Sequence, residues 1–119
     1  MICSSRAAKR MLPRPPRSTL KLSDEEIAAL VAGGRQLIVA GDIPNARLVL
    51  QQAAEAGNAT AALELGATYD PIELAKLGAR DALPDIAMAR TWYQKAKALG
   101  STEAQVRLEN LARRNRPKR

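Results

Sequence analysis

The sequence predicts an all-α fold, a short α-solenoid of antiparallel helix pairs, and three observations predict it. Apolar residues recur at helical spacing from Asp24 to the basic C-terminal run, broken at intervals by a glycine followed by a capping residue. The segment DIPNARLVLQQAAEAGNATAALEL is answered 43 residues later by DIAMARTWYQKAKALGSTEAQVRL. Phe is absent and aromatic residues make up only 3% of the chain, so the core must be built from Ala, Leu, Ile and Val on helices that approach closely.

Order begins at Ser23, which can cap the first backbone amides while Glu26 occupies the reciprocal capping-box position. A first helix is predicted from Asp24 to Ala40, with Leu30, Gly34, Leu37 and Gly41 at helical spacing. Gly41 and Asp42 break it and cap a second helix carrying Ile43, Ala46, Leu50 and Ala53 on one face and closing at Gly57. Asn58 caps a third, with Ala62, Leu65, Gly66 and Tyr69 on its face and a stop at Asp70-Pro71. The stretch from Pro71 to Pro84 is irregular and holds one short helix, PIELAKLG, with Pro71 in its first turn and Gly78 at its end. Asp85 caps the next long helix, which turns Ile86, Ala89, Tyr93 and Ala96 inward and ends at Gly100. Ser101 caps the last, with Ala104, Leu108 and Leu111 inward, before it frays into RRNRPKR.

Shifting the chain by 43 residues pairs Asp42 with Asp85, Ile43 with Ile86, Ala46 with Ala89, Arg47 with Arg90 and Gln51 with Gln94. The same register pairs Ala53 with Ala96, Gly57 with Gly100, Ala61 with Ala104 and Leu65 with Leu108. Two unrelated Ala-rich helices would share some alanines by chance. They would not share the cap, the glycine and the leucine in one register, so this is an internal repeat.

The run Ala89, Trp92, Tyr93, Lys95, Ala96, Gly100, Ala104, Gln105 and Leu108 resembles the signature of the Sel-one-like repeat, a relative of the tetratricopeptide repeat. Upstream, Gly34, Leu37, Ala46, Leu50 and Ala53 fit the tetratricopeptide pattern, and Leu65, Gly66 and Tyr69 begin the next unit. The resemblance covers about residues 27 to 112. It implies a right-handed solenoid of about two repeats plus a capping helix. Its packing is expected to let Gly34 and Gly66 admit a neighbouring backbone, with Ala46, Ala53, Ala89 and Ala96 thinning the interface and Leu50 and Tyr93 filling it. The Pro71 to Pro84 stretch departs from the pattern by its length, which questions whether the stack continues beyond Tyr69.

Composition excludes several chemistries. Histidine is absent, which removes the usual general base, the usual zinc nitrogen ligand and the His-paired nucleophiles. Cys3 is the only cysteine and can form no internal disulfide. Gly33-Gly34 lies inside a helix and has no phosphate-loop context, and Glu25, Glu26 and Glu64 read as a cap and a solvated face. No catalytic residue, metal site or cofactor is expected, and the chain reads as a non-enzyme.

The net charge of +7 is unevenly placed. Residues 1–22 carry +6 and residues 112–119 carry +5, leaving −4 for the stretch between them. The expected organisation is a disordered basic segment over 1–22, a helical repeat domain over 23–113 and a disordered basic tail over 114–119. Within the first segment, Pro13 and Pro16 form a PxxP spacing beside Arg14 and Arg17, although a solvated linker explains it more simply. No apolar run approaches the ~20 residues that span a bilayer, and the N-terminus lacks the h-region of a secretory signal. A cytoplasmic chain is expected, either whole or as the end piece of a longer protein starting internally at Met1 or Met11.

The resemblance implies that the first helix of each pair lines a concave face, here the helices beginning near Asp24, Ala59 and Thr102. Off the packing seam these offer Val31, Leu63 and Val106, with Ile38 two turns on from Val31, Arg35 between them and Arg107 beside Val106. Together they describe a shallow apolar strip edged by arginine, suited to an amphipathic helix or an extended peptide carrying acids. The competing reading is that these side chains only pack against adjacent helices. Family members that hold carboxylate-ended peptides use Lys and Asn on this face; the matching places here are Ala28, Val31, Thr60 and Ala67, with only Arg35, Arg107 and Asn110 polar enough. Trp92 is expected at the junction between repeats. The function expected is a protein-protein interaction module, an adaptor or scaffold binding another protein on the concave face, with a homo-oligomer as one arrangement. The alternative is binding of nucleic acid or anionic lipid through the basic tails.

Overall fold

The computed structural model describes residues 22–79 and 82–114, and these form six helices with no strand among them. In chain order they are α1 (Asp24–Val39), α2 (Ile43–Glu55), α3 (Ala59–Ala67), α4 (Pro71–Leu77), α5 (Ile86–Ala98) and α6 (Thr102–Arg114). The fold is all-α and solenoid-like, as expected. The segments read as 1–22 and 114–119 fall almost wholly outside the described residues; the last helix runs one residue past the expected boundary, through Arg114.

Each long helix starts where a polar side chain takes up an orphan backbone amide. Ser23 Oγ accepts from the Glu26 amide at 3.1 Å while Glu26 Oε1 accepts from the Ser23 amide at 2.8 Å, the complete capping box. That backbone bond, before any other influence, holds the Glu26 carboxyl below its ordinary range. Asn58 Oδ1 accepts from Ala61 at 2.7 Å, Asp85 Oδ1 from Met88 at 3.1 Å and Ser101 Oγ from Ala104 at 3.3 Å. The ends are equally local. Gly57 and Gly100, partners in the 43-residue register, take φ of 97° and 110°, a region that favours glycine because it has no Cβ. The turned backbone lets the Asn58 amide reach the Ala53 carbonyl and the Ser101 amide reach the Ala96 carbonyl, the same closure in both units.

Such tight turns fold each helix back on the last, and α1 packs on α2, α2 on α3, α3 on α5 and α5 on α6. The stack therefore continues past Tyr69, because α5 takes the place beside α3 and α4 stands aside as an excursion. The excursion closes on itself: the Asp85 amide donates to the Tyr69 carbonyl at 2.8 Å, returning the chain to where it left.

The core is one cluster that includes Leu50, Ala53, Ala61, Leu65, Ala89, Trp92, Tyr93, Ala96, Ala104 and Leu111. Ala46 is also fully buried, while Leu37, Tyr69 and Leu108 are half-buried. The two helical glycines do what the repeat pattern demands, with one correction. Gly34 makes room for a side chain, not a backbone: a Cβ there would lie 2.5 Å from Leu50 Cδ2. At Gly66 a Cβ would lie 2.6 Å from the Tyr93 ring, with the Ala89 carbonyl the nearest backbone at 3.3 Å. Leu50 and Tyr93 occupy matching places 43 residues apart, so the glycine hole and the large knob form one recurring device.

Candidate functional site

Helices α1 and α3 lie side by side in the same direction. Near their N-terminal halves Val31 meets Asn58 and Thr60 across a depression, and one turn further Arg35 reaches Glu64 at 3.8 Å. The depression has a volume of about 330 Å³ and is lined by Ala28, Val31, Ala32, Arg35, Asn58 and Thr60. Its floor is small and apolar, and the cation on its rim is loosely held: the Arg35 side chain is 55% exposed, and its distance to Glu64 exceeds hydrogen-bond range.

The six residues expected on the partner-binding strip are not brought together as one surface. Val31 and Leu63, expected off the packing seam, belong to the buried cluster, each 8% exposed, and Ile38 packs against that cluster. Only Val31 and Arg35 of the six line the depression. Val106, which matches Leu63 in the 43-residue register, is 52% exposed. The difference is positional: α3 has helices packed before and after it, whereas α6 has a packed helix on one side only among the described residues. Arg107 is turned inward, bonded to Glu103 and facing the Tyr93 ring at 5.9 Å. Burial opposes its charge, but Glu103 together with Glu73 and Tyr93 more than compensates and raises its pKa.

Two groups that the sequence did not single out, Asp70 and Arg47, bind partners more than twenty residues away in the chain. Asp70 is 1% exposed; Oδ1 accepts from the Ile72 amide at 2.8 Å and Oδ2 from the Tyr93 hydroxyl at 2.7 Å. Burial, reinforced by Asp70, pushes the Tyr93 phenol above its ordinary range, so Tyr93 is neutral and donating at any physiological pH. Arg47 holds the excursion down. Its guanidinium donates to the Thr68 hydroxyl at 3.3 Å, to the Thr68 carbonyl and to the Leu83 carbonyl at 2.8 Å, and it stacks on Tyr69 at 4.0 Å. Burial lowers its pKa while Tyr69 and Asp85 act in the opposite direction. The sequence contained one hint: Arg47 recurs as Arg90 in the repeat, but Arg90 is exposed and no excursion follows it to be held.

Trp92 is buried in the cluster, with Lys95 over its ring at 5.2 Å. Among the described residues no group of three or more His, Cys, Asp or Glu is placed to hold a metal ion, and no helix is long and apolar enough to cross a membrane. Compared with protein-family models, with curated proteins and with solved structures, the chain matches none.

Proposed function

We propose that this chain is a non-enzymatic interaction module that docks another protein in the depression between α1 and α3. The observation that carries the reading is the composition of that depression, a floor of Ala28, Val31 and Ala32 with an exposed arginine at its rim. An apolar floor rewards burial of a partner side chain, and a loosely paired arginine can take a carboxylate from it. The likeness of the packing seam to Sel-one-like and tetratricopeptide repeats supports the same reading, since solenoids of this kind present an extended face to partners.

The test must avoid the core. Val31→Asp or Leu63→Asp would place a charge inside the cluster and unfold the platform, so the informative variant is Thr60→Arg, an exposed position on the α3 side of the depression. Partner capture by affinity purification from the source cells should be lost in Thr60→Arg while helical circular dichroism is unchanged. Unchanged capture refutes the site. A chain lacking residues 1–22 and 115–119 should still capture the same partner, and loss there would favour salt-dependent binding through the basic tails.

A further inference from the structure

Helix α1 is the first of the described stack, and among the described residues no helix lies against its outward side. On its solvent-facing side, which at Ala28, Ala32 and Arg35 borders the depression toward α3, Glu25, Ala28, Ala32, Arg35 and Val39 are all exposed, Val39 at 87%. Their spacing of three, four, three and four residues is the seam of a coiled coil, in which small residues let two helices approach closely. The two charges lie about 15 Å apart along the helix, on either side of the alanines.

We propose that the α1 face of the depression is occupied by a second copy of this chain, the two α1 helices pairing antiparallel about a point level with Leu30. This rests on the reading of that depression as a protein-docking surface and names its occupant. The charges decide it. In an antiparallel pair, Glu25 of one copy faces Arg35 of the other at both ends, and Ala28 faces Ala32 twice at the centre. A two-fold axis makes every contact reciprocal. A parallel pair would set Glu25 on Glu25 and Arg35 on Arg35. A purely acidic partner would meet Glu25 unfavourably and a purely basic one would meet Arg35; the seam itself carries both signs in the complementary order.

Sedimentation velocity on the full chain tests the pairing. The wild type should be a dimer that weakens with added salt. Glu25→Arg and Arg35→Glu should each weaken self-association about tenfold or more, since each swap replaces two ion pairs by two like-charge contacts. Mixed in equal amounts, the two single variants should regain the dimer mass, because the arginine introduced in one chain then faces the glutamate introduced in the other; the double variant should also be a dimer. Both positions are exposed, so helical circular dichroism should be unchanged in all of them. A wild type that stays monomeric at its highest soluble concentration overturns the pairing, as does a dimer indifferent to the single swaps or a mixture that stays monomeric. Thr60 lines the α3 wall of the same depression, so Thr60→Arg should also weaken the dimer; a wild type that stays monomeric while Thr60→Arg still abolishes partner capture overturns the pairing alone and leaves the docking surface standing.

Discussion

Gly66→Ala offers the sharpest test of how the stack is held. The added Cβ would sit 2.6 Å from both Tyr93 Cδ1 and Cε1, and Tyr93 is fully buried with its hydroxyl fixed on Asp70. The ring must move or α3 must retreat from α5, and overpacking of this kind costs about 1–3 kcal/mol. If the ring shift also breaks the bond to the Asp70 carboxylate, roughly 1.5–3 kcal/mol is added for a hydrogen bond to a charged group. Replacing a mid-helix glycine by alanine returns about 0.5–1 kcal/mol. With the bond broken, the net expectation is a destabilisation of about 1.5–5.5 kcal/mol. Gly33→Ala is the internal control, because a Cβ there meets nothing within 4 Å; it should stabilise by about 0.5–1 kcal/mol. Urea denaturation followed by circular dichroism reads both, and the two variants should differ by more than about 2 kcal/mol, roughly the sum of the two effects. A Gly66→Ala protein as stable as Gly33→Ala would refute the glycine-hole account of the packing.

Three further outcomes follow from other contacts. Arg47→Lys should raise amide hydrogen exchange in residues 82–85 and leave α1 protected, because an ammonium cannot reach the Thr68 and Leu83 acceptors together, whereas Arg90→Ala should change stability by less than about 0.5 kcal/mol. Tyr93→Phe should cost about 1.5–3 kcal/mol by leaving Asp70 Oδ2 without its donor. The pH dependence has a definite sign: the folded-state pKa of Tyr93 is raised, so its contribution is complete below the unfolded value near 10 and is lost as pH rises beyond it. Alkaline unfolding should therefore be shallower in Tyr93→Phe than in wild type. Finally, Val31→Asp should lower the thermal midpoint sharply while Val106→Asp leaves it nearly unchanged, as their 8% and 52% exposures require.

Every helix among the described residues, and nearly every helix end, was legible in the sequence, because both are set by neighbours in the chain. A capping oxygen acts on an amide three residues away, and a glycine at positive φ acts on its own turn, so Ser23, Asn58, Asp85, Gly57 and Gly100 could be read directly. The repeat register also carried the pairing of small with large residues, although not that Leu50 and Tyr93 themselves fill the glycine holes. Contacts between residues far apart in sequence were settled by folding alone. Val31, Leu63 and Val106 look alike on their helices, yet two are buried and one is exposed, because burial depends on whether another helix is stacked beyond. Asp70 read as a helix stop until Tyr93, 23 residues on, was brought to its carboxylate. Arg47 stood out only as the repeat partner of Arg90 until the excursion from Pro71 returned Leu83 to its guanidinium. Local backbone chemistry is written in adjacent residues, whereas the fate of a side chain depends on which distant part of the chain folding sets against it.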